Sequence, residues 1–331
     1  MSNPTHSPFA QAFQLGIGFA HTQALHTFIQ LGIPMFLKAE TKSVDAIARH
    51  CEANPDALYR FLRFLSKIGV VELEDQQCQL SSMGQLLRAD MPGNLTKGLG
   101  LMVQEPWQLS WKNLEYSIRT GASAFEQVHQ QAPWEFFQQH PQYGKPFNEW
   151  MTMLSTMGAE ALIRHYDFST ARTICDIGGG QGYLLQAILA QYPQAKGILF
   201  DLPFVVKDAA LGEVANRCEV VGGSFFQAVP TADVLILKSI LHDWDDDSAT
   251  NILKTCRAAL ETGGKILAMD MVIMEGGNPI SFFYDLHMMV MLGGRERTQE
   301  EFLKLFSAAG LKITRFIPTG SPQFIIEAER A

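Results

Sequence analysis

Residues 173–183 read TICDIGGGQGY. A short apolar run ends in an acid, glycines follow at 178, 180 and 182, and a helical pattern, YLLQAILAQY, begins at once. A strand turning straight into a helix over glycines is the opening of a β-α-β unit. The grammar repeats downstream. GILFDLP, ADVLILKSI and KILAMDMVI are further strand-like runs, and Ser248–Leu260 between them is helical in pattern. Strands alternating with helices imply a parallel sheet covered on both faces. The chain closes differently: a helix over Glu300–Ala309, then LKITRFIP and QFIIEAE as a hairpin.

With 331 residues, the chain has room for a second domain ahead of this one. From Ser7 to Leu37 it is uncharged apart from histidines until Lys38 closes the segment, so a buried helical segment is expected, with a second subunit as one possible cover. Ser43 can cap a short helix, and Asn54 followed by Pro55 can start another. Leu58, Phe61, Leu62, Leu65 and Ile68 recur at helical spacing, Gly69 stops the helix, and Val70–Leu73 and Gln77–Leu80 form a hairpin. Helix, turn, helix, hairpin is the order of a winged helix. Such a domain can read DNA. Here the second helix is largely apolar despite Arg60, Arg63 and Lys67, and 34 acids against 26 lysines and arginines give a net charge of −8, so packing or dimerisation is the better expectation and nucleic acid is not an expected partner.

Residues 93–165 read as helical and aromatic, mostly as core. Trp107, Phe147, Trp150 and Met157 are the candidates there for lining an apolar pocket. The expected division is 1–95, 96–165 and 166–331. Five cysteines stand far apart with no CxxC pair, which gives neither a zinc nor a disulfide framework. No early run is long and apolar enough to span a bilayer, and no basic leader precedes one, so a cytoplasmic protein without a membrane partner is expected.

Glycines after a strand admit a ligand close to the backbone. A dinucleotide fingerprint, G-x-G-x-x-G, would need glycine at 183 or 185, where Tyr183 and Leu185 stand. The pattern is instead acid-x-G-x-G-x-G headed by Asp176, the loop form of S-adenosylmethionine-dependent methyltransferases. Asp201 ends the second strand, where a carboxylate can accept ribose hydroxyls.

The segments DIGGGQG, FDLP, GGSFF, LKSILHDWDDD, GGKILAMD and GGRERT occur in order over residues 173–298. In this set the chain resembles the metal-independent small-molecule O-methyltransferases of plants, animals and bacterial natural-product pathways. The resemblance implies a Rossmann-like α/β domain with a seven-stranded, mostly parallel sheet, a winged-helix domain used for homodimerisation, and S-adenosylmethionine as cofactor. It implies cofactor contacts for Asp176, Gly178 and Gly180, and ribose contacts for Asp201 with Leu202. Phe225 would pack on adenine and Lys238 would border the cofactor. Ser224 stands where the family usually has an acid, and Asp270 where it often has glutamate. The family's general base falls on His242, with Asp270 and Glu296 flanking it.

That role suits the chemistry. A phenol with a pKa near 10 is protonated at neutral pH, and an imidazole can take its proton. Asp243 is nearer along the chain than Asp270 or Glu296, but consecutive side chains often diverge. Asp245, Asp246 and Asp247 suit a helix start and are not read as metal ligands. His287, among Met288 and Met291, could orient the acceptor or rival His242. Two alternatives remain on the sequence: the same scaffold acting on nitrogen or carbon or without methylating, and a winged-helix regulator with a retained pocket.

Overall fold

The structure is a computed structural model that describes residues 7–331; the start of the leader-free reading, residues 1–6, lies outside them. Two compact units divide the chain: residues 1–108 with 140–150, and 109–139 with 151–331.

The first unit carries the winged-helix order. Ser43 caps helix Val44–His50 through the Ala46 N–H, and Asn54 caps Pro55–Lys67 through the Ala57 N–H, so both caps form as read. Strands β1 (Lys42–Ser43), β2 (Val71–Glu74) and β3 (Gln77–Leu80) make a small antiparallel sheet in the order β1-β3-β2. Phe28, Ile33, Leu37, Ile47, Leu62 and Leu65 fill its core. The uncharged amino-terminal segment meets expectation only in its second half, where Phe28, Ile33 and Leu37 are buried. Helix Pro8–Gly16 buries no residue, and Phe9, Phe13, Leu15 and Phe19 are all exposed in the single chain. An apolar face without charges favours a cover, and none is supplied among the described residues of the single chain.

The second unit is built on β4 (Thr173–Ile177), β5 (Lys196–Asp201), β6 (Cys218–Gly222), β7 (Ala232–Lys238), β8 (Leu260–Ile273), the two-residue β9 (Arg297–Thr298), β10 (Leu311–Pro318) and β11 (Gln323–Arg330). Seven strands run in the order β10-β11-β8-β7-β4-β5-β6, and β9 pairs with β8. The pairs from β8 across to β6 are parallel, and the closing hairpin adds antiparallel strands. Successive side chains alternate between faces. Cys175, Leu235, Leu237, Ile266 and Ala268 pack under helices Asp246–Ala259 and Gln299–Ala308. Ile174, Val234, Ile236, Leu267 and Met269 face the other way, toward helix Tyr183–Gln191. The aromatic region 109–139 is helical, with Phe125 and Phe136 buried edge to face at 5.3 Å. No helix among the described residues is long and apolar enough to cross a membrane.

The strand order reverses at β4, which lies between β5 and β7. Open α/β sheets bind ligands outside the carboxyl ends of their strands at such a reversal. Asp176, Asp201, Lys238 and Asp270 stand at or near the carboxyl ends of β4, β5, β7 and β8. Leu235 anchors the sheet from beneath this edge and is fully buried. Leu235→Ala should lower the unfolding free energy by about 2–5 kcal/mol, read as a shift in the urea midpoint at unchanged slope.

Candidate active site

The glycine loop takes its shape from backbone conformations that favour glycine. Gly178 has φ +69°, and a Cβ there would meet the Ile240 side chain at 2.3 Å. Gly180 has φ +60°, yet an added Cβ would meet nothing within 4 Å, so the backbone faces open space. Its N–H donates to Asp201 Oδ2 at 2.8 Å, and the Leu202 N–H donates to Oδ1 at 2.6 Å. Asp201 thus braces the glycine loop, while lone pairs on a carboxylate remain for a hydroxyl donor. Burial raises its pKa, and the Gly180 and Leu202 amides offset part of that rise.

Asp176 is buried, and its Oδ2 has no hydrogen-bond partner among the described residues. Burial lifts its pKa to about 7, against the pull of Lys238. Lys238 is itself buried. Desolvation lowers its pKa, and Asp176, Asp270 and Asp243 oppose that. Gly158 makes room for its stem, since a Cβ there would lie 2.6 Å from Lys238 Cε. Ser224 Oγ accepts from the Phe226 N–H at 3.3 Å. Phe225 packs edge to face on Phe226 and Trp244.

His242 sits in a single 3-10 turn, Leu241–Asp243, just beyond β7. Its Nδ1 lies 2.7 Å from Glu296 Oε1. Its Nε2 lies 3.3 Å from Asp243 Oδ1. The tight turn brings the neighbouring carboxylate onto the ring, against the expectation that it points away. Asp270 makes no hydrogen bond to the ring. It is fully buried, with both carboxylate oxygens unpartnered among the described residues. The two flanking acids therefore differ: Glu296 touches the imidazole, and Asp270 acts on it only through its charge. Burial alone would lower the His242 pKa, but Glu296 and then Asp243 outweigh it and raise it to about 10. Burial raises Asp243 to about 7 and Asp270 to about 6, with His242 pulling both down.

Glu296 is held from behind. Its N–H donates to Asp285 Oδ1 at 3.0 Å, the Arg295 N–H donates to the His242 carbonyl at 2.8 Å, and a Cβ at Gly294 would lie 2.1 Å from that carbonyl. Arg297, fully buried and unread in the sequence, donates to Asp246 Oδ1 at 2.9 Å, to the Leu241 carbonyl at 2.8 Å and to the Trp244 carbonyl at 2.8 Å. The acids after His242 do begin a helix, with Asp245 as its cap. Asp246 has a second use, as the partner of Arg297. The signal for Arg297 was GGRERT itself, read for its glutamate alone.

The proposed pocket residues divide. Trp107 and Phe147 pack together at 6.4 Å in the first unit, where Trp150 lies against Gly98. Met157 is exposed in the second unit, and Met288 and Met291 are buried there. His287 Nδ1 accepts from Trp111 Nε1 at 3.2 Å. Among the described residues no group of three or more His, Cys, Asp or Glu side chains is placed to hold a metal ion.

Asp176, Asp243, Asp270 and Glu296 thus surround two cations, Lys238 and His242, and several of their oxygens lack donors. A ligand that brings positive charge and hydroxyl donors to the open edge at Gly180 fits that surplus. The family model described as the O-methyltransferase domain matches residues 111–312, and that of the O-methyltransferase dimerisation domain matches residues 13–89. The chain is 37% identical to the phenazine O-methyltransferase PhzM of Lysobacter antibioticus, over 95% of this chain and 94% of that one. It is 33% identical to the mitomycin biosynthesis 6-O-methyltransferase of Streptomyces lavendulae, over 93% and 91% of the two chains. The crystal structure of CalO1, a methyltransferase in calicheamicin biosynthesis with S-adenosylhomocysteine bound, superposes with a TM-score of 0.88 at 29% identity, covering 100% of both chains.

Two measurements test the geometry directly. The His242 ring, followed by NMR, should titrate far above the ordinary value of about 6.5, and Glu296→Gln should bring its midpoint down. Arg297→Met should lower the thermal midpoint, because it leaves Asp246 and two buried carbonyls without their donor. An unchanged midpoint would show that water replaces the guanidinium at no cost.

Proposed function

The chain belongs to the S-adenosylmethionine-dependent O-methyltransferases of natural-product type, and from that premise we propose that it methylates a hydroxyl of a small aromatic or enolic acceptor with His242 as general base. The observation that carries this reading is the 2.7 Å contact between His242 Nδ1 and Glu296 Oε1. A carboxylate at Nδ1 fixes that proton and leaves Nε2 to take one from the acceptor, the arrangement that orients histidine bases generally.

When bound, S-adenosylmethionine supplies a methyl group on a good leaving group. The chain's own part is binding, orientation and proton removal. Asp176, Gly178 and Gly180 form the loop that would hold the cofactor, with Asp201 and Leu202 at the ribose, Ser224 and Phe225 toward adenine, and Lys238 beside it. The acceptor hydroxyl gives its proton to His242 Nε2, and Glu296 stabilises the imidazolium that results. Asp270 adds negative charge behind the ring without touching it.

Asp243 complicates the resting state. Between Asp243 and Glu296 the imidazolium persists well above neutrality, and only the neutral ring is a base. Because the pKa is raised, the active form is scarce at neutral pH and grows as pH climbs toward about 10. The charged groups around the ring are Glu296, Asp243, Asp270 and Lys238, with His287 on the neighbouring helix.

The dimerisation match covers Phe13, Leu15 and Phe19, whose exposed faces want a cover. A second copy of this chain supplies it in our reading.

Three outcomes follow. His242→Ala should retain cofactor binding by calorimetry and lose turnover by about 10²–10⁴-fold; wild-type turnover in that variant would sink the base assignment. For the wild type, kcat/KM should rise through the alkaline range. Asp243→Asn and Glu296→Gln should both move that rise to lower pH, and Glu296→Gln should also lower the plateau, because a neutral amide does not stabilise the imidazolium. A paired Phe13→Asp and Phe19→Asp variant should run as a monomer by light scattering at micromolar concentration, where the wild type runs as a dimer.

A further inference from the structure

Three rings in the second unit lie nearly parallel. Trp111 ends helix Glu105–Lys112, and Phe283 and His287 stand one turn apart on helix Pro279–Leu292. Trp111 and Phe283 are 5.8 Å apart at 2°, Trp111 and His287 5.9 Å at 18°, and Phe283 and His287 5.5 Å at 17°. Within this stack the indole N–H of Trp111 donates to His287 Nδ1 at 3.2 Å.

That contact fixes a tautomer. An indole nitrogen only donates, so Nδ1 must present its lone pair. The proton of the neutral ring is then on Nε2. Protonating Nδ1 would set two N–H groups against each other, so the contact also opposes the charged form. Burial and then the charge of His242 push the same way and hold the His287 pKa down at about 4. His287 is only half buried, and its Nε2 makes no hydrogen bond with another described residue. It is a donor in fixed orientation with no acceptor among the described residues.

Its place in the fold is specific. The helix that carries His287 also carries Asp285, which holds the Glu296 backbone at 3.0 Å. The same helix packs against the turn that holds His242. Two histidines with opposite properties thus stand on touching elements, one carboxylate-bound and basic, the other capped by an indole and held neutral.

We propose that His287 is a specificity-determining residue, donating from Nε2 to a carbonyl or carboxylate oxygen that the acceptor carries near the hydroxyl to be methylated. This rests on the reading of His242 as the base for an acceptor hydroxyl. The two histidines then address two oxygens of one molecule: Nε2 of His242 accepts a proton from the hydroxyl, and Nε2–H of His287 donates to the neighbouring oxygen. Acceptors with such a pair of oxygens are preferred over hydroxyarenes with one.

The test uses the full chain with S-adenosylmethionine, 1-naphthol, and naphthols carrying an acetyl or carboxyl group at successive ring positions. Wild-type kcat/KM should favour at least one oxygen-bearing naphthol over 1-naphthol by about 10-fold or more, the worth of one hydrogen bond inside a desolvated site. His287→Phe keeps a ring in the stack and removes the donor; the preference ratio should collapse. His287→Gln places an amide N–H near the position of Nε2 and should restore part of it. In parallel, ¹⁵N NMR should show His287 protonated at Nε2 and bare at Nδ1 from pH 5 to 8, with the Nε2–H resonance shifting when the favoured naphthol binds. A ratio unchanged in His287→Phe, a proton on Nδ1, or no naphthol that binds overturns the proposal. Binding that shifts Nε2–H with no methyl transfer would leave His287 standing and remove the reading of His242.

Discussion

The buried guanidinium of Arg297 is the tie on which the candidate site depends. It joins the segment before the last helix to the turn after β7, because its nitrogens reach Asp246 and the carbonyls of Leu241 and Trp244. Burying a charge is costly unless it is paired and its donors are used. Here they are used on a 3-10 turn of three residues, the residue that closes it and the first residue of the helix that follows. Glu296 immediately precedes Arg297, so once the guanidinium is seated, the glutamate has little freedom except to face His242. The Arg295 amide and the close approach of Gly294, both on the His242 carbonyl, complete a backbone-to-backbone fit that a side chain at 294 would break.

The rest of the site is set by the register of the sheet. β4 lies parallel between β5 and β7, and Lys238 of β7 is level with Met269 of β8, one residue before Asp270. Carboxylates and a lysine are thereby gathered at one edge, where the polar groups are too many to satisfy one another. Asp176, Asp270 and Glu296 each keep at least one oxygen without a donor among the described residues. Orphaned buried oxygens of this kind cost about 1–3 kcal/mol each, and folding alone would not favour keeping them. They suit a ligand that is positively charged and rich in hydroxyl groups. Burial makes Asp176 and Asp270 hard to ionise, while the charges of Glu296 and Asp243 keep the proton on His242.

Much of this was legible in the chain. Parallel strands buried on both faces leave continuous apolar runs, and those runs are visible in TICDI and VLILK. Capping residues such as Ser43 and Asn54 act over three positions, which a sequence displays directly. What it did not display were relations between distant segments. Glu296 and Asp270 looked equivalent as partners of His242, yet only one touches it; the choice is made by Arg297 and Asp285, on other elements. Trp111 and His287 are 176 positions apart. The uncharged segment around Phe9 and Phe13 was read as buried, and in the single chain it is exposed, because an apolar face carries no mark of whether its cover is the same chain or another.

Asp243 shows the same limit at the shortest range. Adjacent side chains diverge in a strand and stand about 100° apart in an α-helix, so the pair His242–Asp243 gives no reason to expect contact. In the 3-10 turn after β7 the carboxylate nevertheless lies 3.3 Å from Nε2, the nitrogen that in the proposed reading receives the acceptor's proton. The site then has two stable uses for that nitrogen. It can pair with Asp243, which keeps the ring charged, or it can face an acceptor hydroxyl. On the proposal that His242 is the base, an acceptor able to replace Asp243 meets a ring already oriented by Glu296, and a molecule unable to do so leaves that ring protonated. In that proposed reading, pairing within the resting site filters what can be deprotonated there, and the partner is the residue next along the chain.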